Sequence, residues 1–294
     1  IPIANYGASN LGLFKRRYRN GLSLRYGKLM QTISGIHYNY SVPESIWESS
    51  LFKNTDVNPK VIRSDIYFNM LRNIYRMNWL ILYLFGASPI LTRNFVYENE
   101  EGFKKLDDHT LYLPYATSLR MSNFGYQNTR RRKLEVSINS INEYISCLSN
   151  ATKTIHPAFA NINSTSTNSK TQINENVLQI DDEYYAIARA KSKIVSDQRA
   201  ISKLNQGGVD FIELRSLDLN PFSRVGIDKE TTFFLELLLT YCFIKKRQHF
   251  TDNEIDIMNH NDASVAKKGR EPGLKLLKDG KTISLKDWGN QFVD

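Results

Sequence analysis

The sequence contains few cysteines and no long apolar run. Two of its 294 residues are cysteine, Cys147 and Cys242, which excludes a disulfide framework and favours a reducing compartment such as the cytoplasm. The longest strongly apolar stretch, residues 77–91, is interrupted by a glycine and a proline. It is also shorter than the roughly 20 residues that a helix needs to cross a bilayer. We therefore expect no membrane-spanning segment.

Acidic residues are outnumbered by basic ones. The 39 lysines and arginines exceed the 30 aspartates and glutamates and give a formal net charge of +9. With 41% hydrophobic residues, the chain is too apolar to be disordered. The positive charge is compatible with a nucleic acid, an anionic membrane surface or a phosphate-bearing small molecule as partner. Two basic runs, FKRRYR at 14–19 and TRRRK at 129–133, are the features that favour nucleic acid.

No internal repeat and no clear domain boundary divides the chain, so we expect one domain over residues 1–294. Three segments alternate in the manner of β-strands: 32–41, 183–189 and 211–217. Three others have the apolar spacing of helices: 61–84, 138–148 and 228–247, the last with Asp228 as N-cap. A polar stretch, 161–170, is predicted to be a surface loop. This irregular mixture predicts an α+β architecture around an antiparallel sheet.

Three side chains on the predicted strands could carry chemistry. The alternation places His37 on the polar face of the first strand and puts Glu213 and Arg215 together on one face of the last. Taken singly, each is compatible with an ordinary structural role, as a satisfied histidine or a surface ion pair. Together, an imidazole, a carboxylate and a guanidinium are the groups that hold a divalent metal and steady a transferring phosphate.

Two motifs around these residues resemble the glutamine synthetase superfamily. SGIHYNYS, at 34–41, is similar to a strand whose histidine binds a divalent metal, and IELRSLDLNPF, at 212–222, to a strand with a metal-binding glutamate and a phosphate-contacting arginine. Within that superfamily, five further segments resemble the proteobacterial type of the glutamate–cysteine ligase family: 5–35, 83–89, 112–126, 173–189 and 269–276. The resemblance therefore extends along nearly the whole chain.

The resemblance implies a fold, a reaction and a set of ligands. The fold is α+β, a curved antiparallel sheet flanked by helices. The reaction is ATP-dependent ligation of the γ-carboxyl of L-glutamate to the amino group of L-cysteine through a γ-glutamyl phosphate, the first step of glutathione biosynthesis. It implies Mg²⁺ as cofactor, with Mn²⁺ as the alternative, and glutathione as a feedback inhibitor. We expect a cytoplasmic monomer with neither a nucleic-acid nor a membrane partner.

Roles for ten residues follow from the same resemblance. His37 and Glu213 match metal ligands, and Arg215 matches the catalytic residue that contacts the phosphate. The other seven match substrate-binding positions: Tyr18, Arg19, Leu22, Gln31, Arg120, Tyr126 and Tyr185. Gln31 and Arg120 match positions near glutamate, whereas the three tyrosines and Leu22 match the cysteine pocket and Arg19 an anion contact.

The sequence departs from the family in one respect. Family members carry a glutamate-rich strand region before the equivalent of this chain and continue beyond it, so the 294 residues resemble an interior fragment of the catalytic domain. We expect the isolated chain to be inactive or nearly so. Three alternatives stay open: another carboxylate–amine ligase of the superfamily, a basic nucleic-acid-binding module, and a remnant that keeps the fold without catalysis.

Overall fold

A computed structural model describes residues 1–49, 57–96, 102–125, 136–164, 171–195 and 198–292. Within these ranges the α-helices are α1 Asn10–Tyr26, α2 Glu44–Trp47, α3 Pro59–Phe85, α4 Ile141–Ala151, α5 Pro157–Ser164, α6 Ala200–Gly207, α7 Lys229–Ile244, α8 Asp252–Lys268 and α9 Leu285–Asn290. The strands are β1 Ile36–Tyr40, β2 Ile90–Thr92, β3 Lys104–Lys105, β4 Thr110–Tyr112, β5 Ala188–Lys191, β6 Phe211–Leu217, β7 Lys275–Lys278 and β8 Lys281–Ser284.

The principal sheet has three antiparallel strands in the order β1-β6-β5. Central β6 has the boundaries that alternation predicts, and its apolar residues Ile212 and Leu214 are fully buried. Smaller sheets are formed by β2-β4-β3 and by the β7-β8 hairpin. The mixture of helices and antiparallel strands agrees with the predicted α+β class.

Helix α3 supplies most of the core. Asn58 caps its N-terminus by accepting a hydrogen bond from the backbone of Lys60, and Pro59 occupies the first turn, where its missing N–H costs nothing. Its buried side chains pack against β5 and β6 and against helices α7 and α8. Fully buried aliphatic or aromatic side chains each contribute about 1.5–3 kcal/mol to folding. The predicted helix over 61–84 is thus confirmed, two residues longer at the start and one at the end.

A separate apolar cluster fixes helix α1. Leu22 and Tyr26 pack with Met30 and Phe159. Arg25 also reaches from α1 to the segment that precedes β5, where it pairs with Glu183 at 3.2 Å. These contacts hold α1 beside the sheet, with one face of the helix toward the strands.

Several predicted boundaries were wrong. The helix predicted over 138–148 is α4, at 141–151, and the strand predicted over 32–41 is β1, at 36–40. Residues 181–183 form a 3₁₀ turn, so the strand predicted at 183–189 is β5, at 188–191. The Asp181 carboxylate explains the turn, because it accepts a hydrogen bond from the backbone N–H of Ile201 at the start of α6. Helix α7 ends at Ile244, before the basic run at 245–247, and residues 161–164 belong to α5 rather than to a loop. The rest of that predicted loop, 165–170, lies outside the described residues.

Neither the helices nor the cysteines add a membrane segment or a disulfide within the described residues. In the part of the chain that the structure describes, none of the helices combines the length and the apolarity that a bilayer crossing requires. Cys147 and Cys242 are both free thiols. Burial raises the pKa of Cys242 to about 12, so that thiol stays protonated.

Candidate functional site

A cleft of about 490 Å³ lies between helix α1 and the principal sheet. Its walls come from α1, the turn that follows α1, strands β1, β5 and β6, and the segment before β5. Seven of the ten predicted site residues line the cleft: Tyr18, Arg19, Leu22, Gln31, His37, Tyr185 and Arg215. The structure therefore brings together residues that lie almost 200 positions apart in the sequence.

Glu213 lies beside the cleft and contacts three charged or titratable side chains that line it. Its Oε1 lies 3.3 Å from Nδ1 of His37, and its Oε2 accepts a hydrogen bond of 3.1 Å from Arg215. Lys191 approaches Oε2 to 3.7 Å from the neighbouring strand. The register explains these contacts, since β6 lies between the other two strands and Glu213 is opposite both Asn39 and Arg189.

The electrostatics of the cluster keep the carboxylate ionised. Burial by itself raises the pKa of Glu213, but Lys191, Arg215 and His37 outweigh burial and hold this pKa below its usual value. The pKa of His37 is lowered by burial and by the Arg215 charge, against the opposing effect of Glu213. The imidazole is therefore neutral near pH 7, the form that can bind a metal ion.

A bulge in β6 brings Arg215 opposite His37 of the neighbouring strand. Ile36 pairs with Leu217 but Tyr38 with Leu214, so Arg215 and Ser216 together lie opposite His37. Bulges bend a strand and redirect side chains, and they are frequent next to active sites. Here the bulge lies where β6 presents Arg215 to the cleft.

Arg120 supports this bulge from behind and does not line the cleft. Its guanidinium donates to the carbonyl of Ser216 at 2.7 Å and to the carboxylate of Asp218 at 2.5 Å. The side chain is only 6% exposed. Gly35 covers it so closely that a Cβ at that position would lie 2.7 Å from Cζ of Arg120. The predicted contact of Arg120 with substrate stays a prediction, and in this structure its guanidinium is bound by Ser216 and Asp218.

Helix α1 and the turn after it supply the opposite wall. The Gln31 side chain donates to the backbone carbonyl of Arg19 at 3.0 Å, which ties the turn to the helix. Burial raises the pKa of Tyr18, so its hydroxyl is a hydrogen-bond donor at any ordinary pH. Across the cleft, the ring of Tyr185 lies 5.7 Å from the Arg215 guanidinium. Tyr126, the tenth predicted residue, lies outside the described residues.

Sequence reasoning missed the cations of β5. Arg189 and Lys191 both line the cleft, where their positive charge adds to that of Arg215. The sequence ARAK, 188–191, contains a signal for them, because strict alternation places both cations on one face. This signal was obscured because the predicted strand ended at residue 189, before Lys191.

The donor set fits a divalent ion only in part. His37 and Glu213 are adjacent, and the His37 side chain is 48% exposed to the cleft. Among the described residues, however, no group of three or more potential ligand side chains surrounds one point. Mg²⁺ prefers six oxygen ligands in octahedral geometry. These two residues can therefore supply part of a coordination shell and not the whole.

Comparison with known proteins shows which family this chain resembles. The family model described as glutamate-cysteine ligase matches residues 1–265. Glutamate–cysteine ligases from Pseudomonas entomophila and from a Janthinobacterium strain are 40% and 41% identical over the whole chain, which covers 56% of each of them. The chain thus spans about half the length of the curated relatives it matches.

Two solved structures resemble the fold. A crystal structure of glutamate–cysteine ligase from Francisella tularensis in complex with AMP has a TM-score of 0.89 and 38% identity, over 98% of this chain and 57% of that one. A bifunctional glutathione synthetase from Pasteurella multocida has a TM-score of 0.62 at 22% identity, over 91% of this chain and 30% of that one. The second likeness concerns the fold alone. The predicted glutamine synthetase-like α+β fold is confirmed by the first.

Proposed function

This chain belongs to the glutamate–cysteine ligase family, and from that premise we propose that the protein containing it joins the γ-carboxyl of L-glutamate to the amino group of L-cysteine with ATP. The observation that carries the proposal is the juxtaposition of His37, Glu213 and Arg215: His37 and Arg215 line one cleft, and Glu213 contacts both of them. Two of these groups suit a metal ion, and the third suits a phosphate. The product would be γ-glutamylcysteine, as in the first step of glutathione biosynthesis.

The proposed reaction has two steps. A carboxylate does not react with an amine, so a γ-carboxylate oxygen of glutamate first attacks the γ-phosphorus of ATP, and ADP leaves. The cysteine amino group then attacks the activated carbonyl carbon, the amine loses a proton and inorganic phosphate leaves. Arg215 would stabilise the negative charge that spreads over the phosphoryl oxygens. A Mg²⁺ or Mn²⁺ ion held in part by His37 and Glu213 would neutralise charge on the phosphates.

The two walls of the cleft provide the proposed amino-acid contacts. Leu22, Tyr18 and Tyr185 combine apolar surface with hydroxyl donors, which suits the short side chain and the carboxylate of cysteine. Arg19 and Gln31, which are joined by a hydrogen bond, add a cation and an amide on the same side. The contacts assigned to Arg120 and Tyr126 stay predictions.

An assay of the product of the complete coding sequence tests the proposal. We expect ADP release that requires glutamate and cysteine together, and γ-glutamylcysteine as the product. Release with ammonia or another amine in place of cysteine would identify a different ligase of the superfamily. Salt-dependent DNA binding without any response to ATP, glutamate and cysteine would contradict the ligase proposal. Cytoplasmic location, a monomeric state and inhibition by glutathione are part of the proposal and need fractionation, sedimentation and inhibition measurements.

A further inference from the structure

The ammonium group of Lys191 lies in the cleft without a close partner. It is 3.7 Å from Oε2 of Glu213 and 4.0 Å from Oδ1 of Asp182. Both distances exceed the 2.7–3.2 Å of an N–H···O hydrogen bond. Among the residues that the structure describes, no hydrogen bond to this ammonium group is present. Lys191 therefore retains donors that a ligand in the cleft can use.

The neighbouring guanidinium groups also have spare donors. The Nε groups of Arg189 and Arg215 are buried and have no hydrogen-bond partner. Buried donors in folded proteins are nearly always paired, so two unpaired donors on residues that line one cleft are unusual and mark a polar site. The charge of a ligand at this site follows from its surroundings. Arg19, Arg189, Lys191 and Arg215 line the cleft against two carboxylates, Asp182 and Glu183, and Glu183 is already paired with the buried Arg25. The ligand that fits is an anion.

The position of Lys191 next to Arg215 indicates which anion. Both cations lie within 4 Å of the same oxygen, Oε2 of Glu213, although they approach it from adjacent strands. A phosphoryl group in transfer spreads its charge over three peripheral oxygens and can be contacted by two cations at once. A carboxylate of an amino acid has two oxygens and is matched by one planar guanidinium.

We propose that Lys191 is a further catalytic residue, which contacts the transferring phosphoryl group together with Arg215. This inference rests on the proposed ligase function and assigns a contact to the same site. Lys191 would bind the γ-phosphoryl oxygens weakly in bound ATP and more strongly as negative charge develops on them in transfer. Its flexible stem allows the ammonium group to follow those oxygens.

Lys191→Met in the product of the complete coding sequence tests this assignment. We expect kcat to fall about 10- to 100-fold, with the KM values for glutamate and cysteine changed less than about twofold, because the lost contact strengthens during transfer. Lys191→Arg should recover part of the lost kcat, since it restores the cation. Lys193→Met is the matched control, because Lys193 is exposed two residues farther on and does not line the cleft.

Nucleotide binding gives a second, non-kinetic readout. In calorimetry, Lys191→Met should weaken a non-hydrolysable ATP analogue several-fold and leave the affinity for AMP unchanged, because AMP lacks the γ-phosphate. A selective rise in the KM for glutamate or cysteine, or an equal loss of affinity for AMP and the analogue, would overturn the assignment. If the wild-type protein lacks ligase activity, the proposed function fails. If the wild type is active and Lys191→Met has the same kcat and the same nucleotide affinity, the role proposed for Lys191 is wrong and the proposed function stands.

Discussion

Two kinds of ion pair occur within one small region of this protein. Behind the sheet and under α1, the pairs Arg120–Asp218 and Arg25–Glu183 are almost completely buried, with side chains between 0% and 6% exposed. The Asp218 carboxylate accepts four hydrogen bonds from Ala87, Ser88, Ser118 and Arg120. Beside the cleft, by contrast, Glu213 is shared among Arg215, Lys191 and the imidazole of His37, and the two cations use only part of their donors.

The contrast separates charges that hold the fold from charges that are free to bind. A buried charge with all its hydrogen bonds made is costly to disturb and has nothing left for a ligand. A partly exposed charge with unused donors contributes little to stability, yet it can exchange a protein partner for a substrate. The distinction places Arg120 and Asp218 behind the β6 bulge, and it supports the roles proposed for His37, Glu213, Arg215 and Lys191.

The largest expected effect is on turnover. Glu213→Gln keeps the shape of the side chain but removes the charge that faces His37, Arg215 and Lys191. We expect kcat for ligation to fall at least about 100-fold, because a metal-site carboxylate neutralises charge on the phosphates. Glu230→Gln, an exposed carboxylate in the first turn of α7, is the control and should retain wild-type kcat. Equal kcat for the Glu213 variant and wild type would show that Glu213 does not hold the metal.

The second largest expected effect is a loss of stability when the buried Arg120–Asp218 pair is broken. Asp218→Ala leaves the Arg120 guanidinium buried without its partner, which should lower the free energy of unfolding by about 3–5 kcal/mol. Asp182→Ala removes an acid whose side chain is 55% exposed and should cost less than about 1 kcal/mol. Urea denaturation of both variants measures the difference. Similar losses in the two variants would break the contrast between the two kinds of pair.

Asp262 extends the comparison of ion pairs to a buried carboxyl group whose partner is an amide and not a cation. Its partner is the amide of Asn78, at 2.7 Å, and burial raises its pKa to about 7. A pKa above that of the unfolded chain means that protonation stabilises the fold, with the full effect below about pH 4 and its loss as pH rises through 7. Asp262→Asn should therefore remove most of the decline in unfolding free energy between pH 4 and 8. An unchanged decline in the variant would exclude Asp262 as its source.

The smallest expected effect is the contribution of Glu213 to acid stability. Its folded pKa lies below the ordinary value of 4.5, so its charge stabilises the fold above that pH and the effect is lost as pH falls through the folded pKa. We expect less than about 1 kcal/mol, since the carboxylate is partly exposed and its partners are screened. Unfolding free energies at pH 3 and pH 6 should therefore differ by slightly less in Glu213→Gln than in wild type. A larger difference in the variant would contradict the sign.

Sequence reasoning worked where the signal was local. Alternation gave the boundaries of β6, and apolar spacing gave α3 to within two residues, because each element buries one continuous set of its own side chains. It placed the start of β5 wrongly, since the turn at 181–183 depends on a contact from Asp181 to a helix 20 residues later. The buried pairing of Arg120 with Asp218 was beyond its reach, because the two residues lie 98 positions apart.

The candidate site shows the same division. Its centre could be predicted because His37, Glu213 and Arg215 lie in strand motifs that resemble a known family. The approach of Lys191 to Glu213 could not, since it depends on the register that brings β5 beside β6. Three features depend on the arrangement in space and required the fold. They are the cluster of Arg189, Lys191 and Arg215, the bulge in β6, and the buried Arg120–Asp218 pair.

Binding of Mn²⁺ in the presence of ATP tests the central claim most directly. We would titrate the product of the complete coding sequence with Mn²⁺ and measure the free ion by electron paramagnetic resonance, for wild type, Glu213→Gln and Glu230→Gln. The account predicts that the Glu213 variant binds the ATP-dependent ion at least about tenfold more weakly, whereas the Glu230 variant matches wild type. Equal affinity in all three proteins would contradict the placement of the metal at His37 and Glu213.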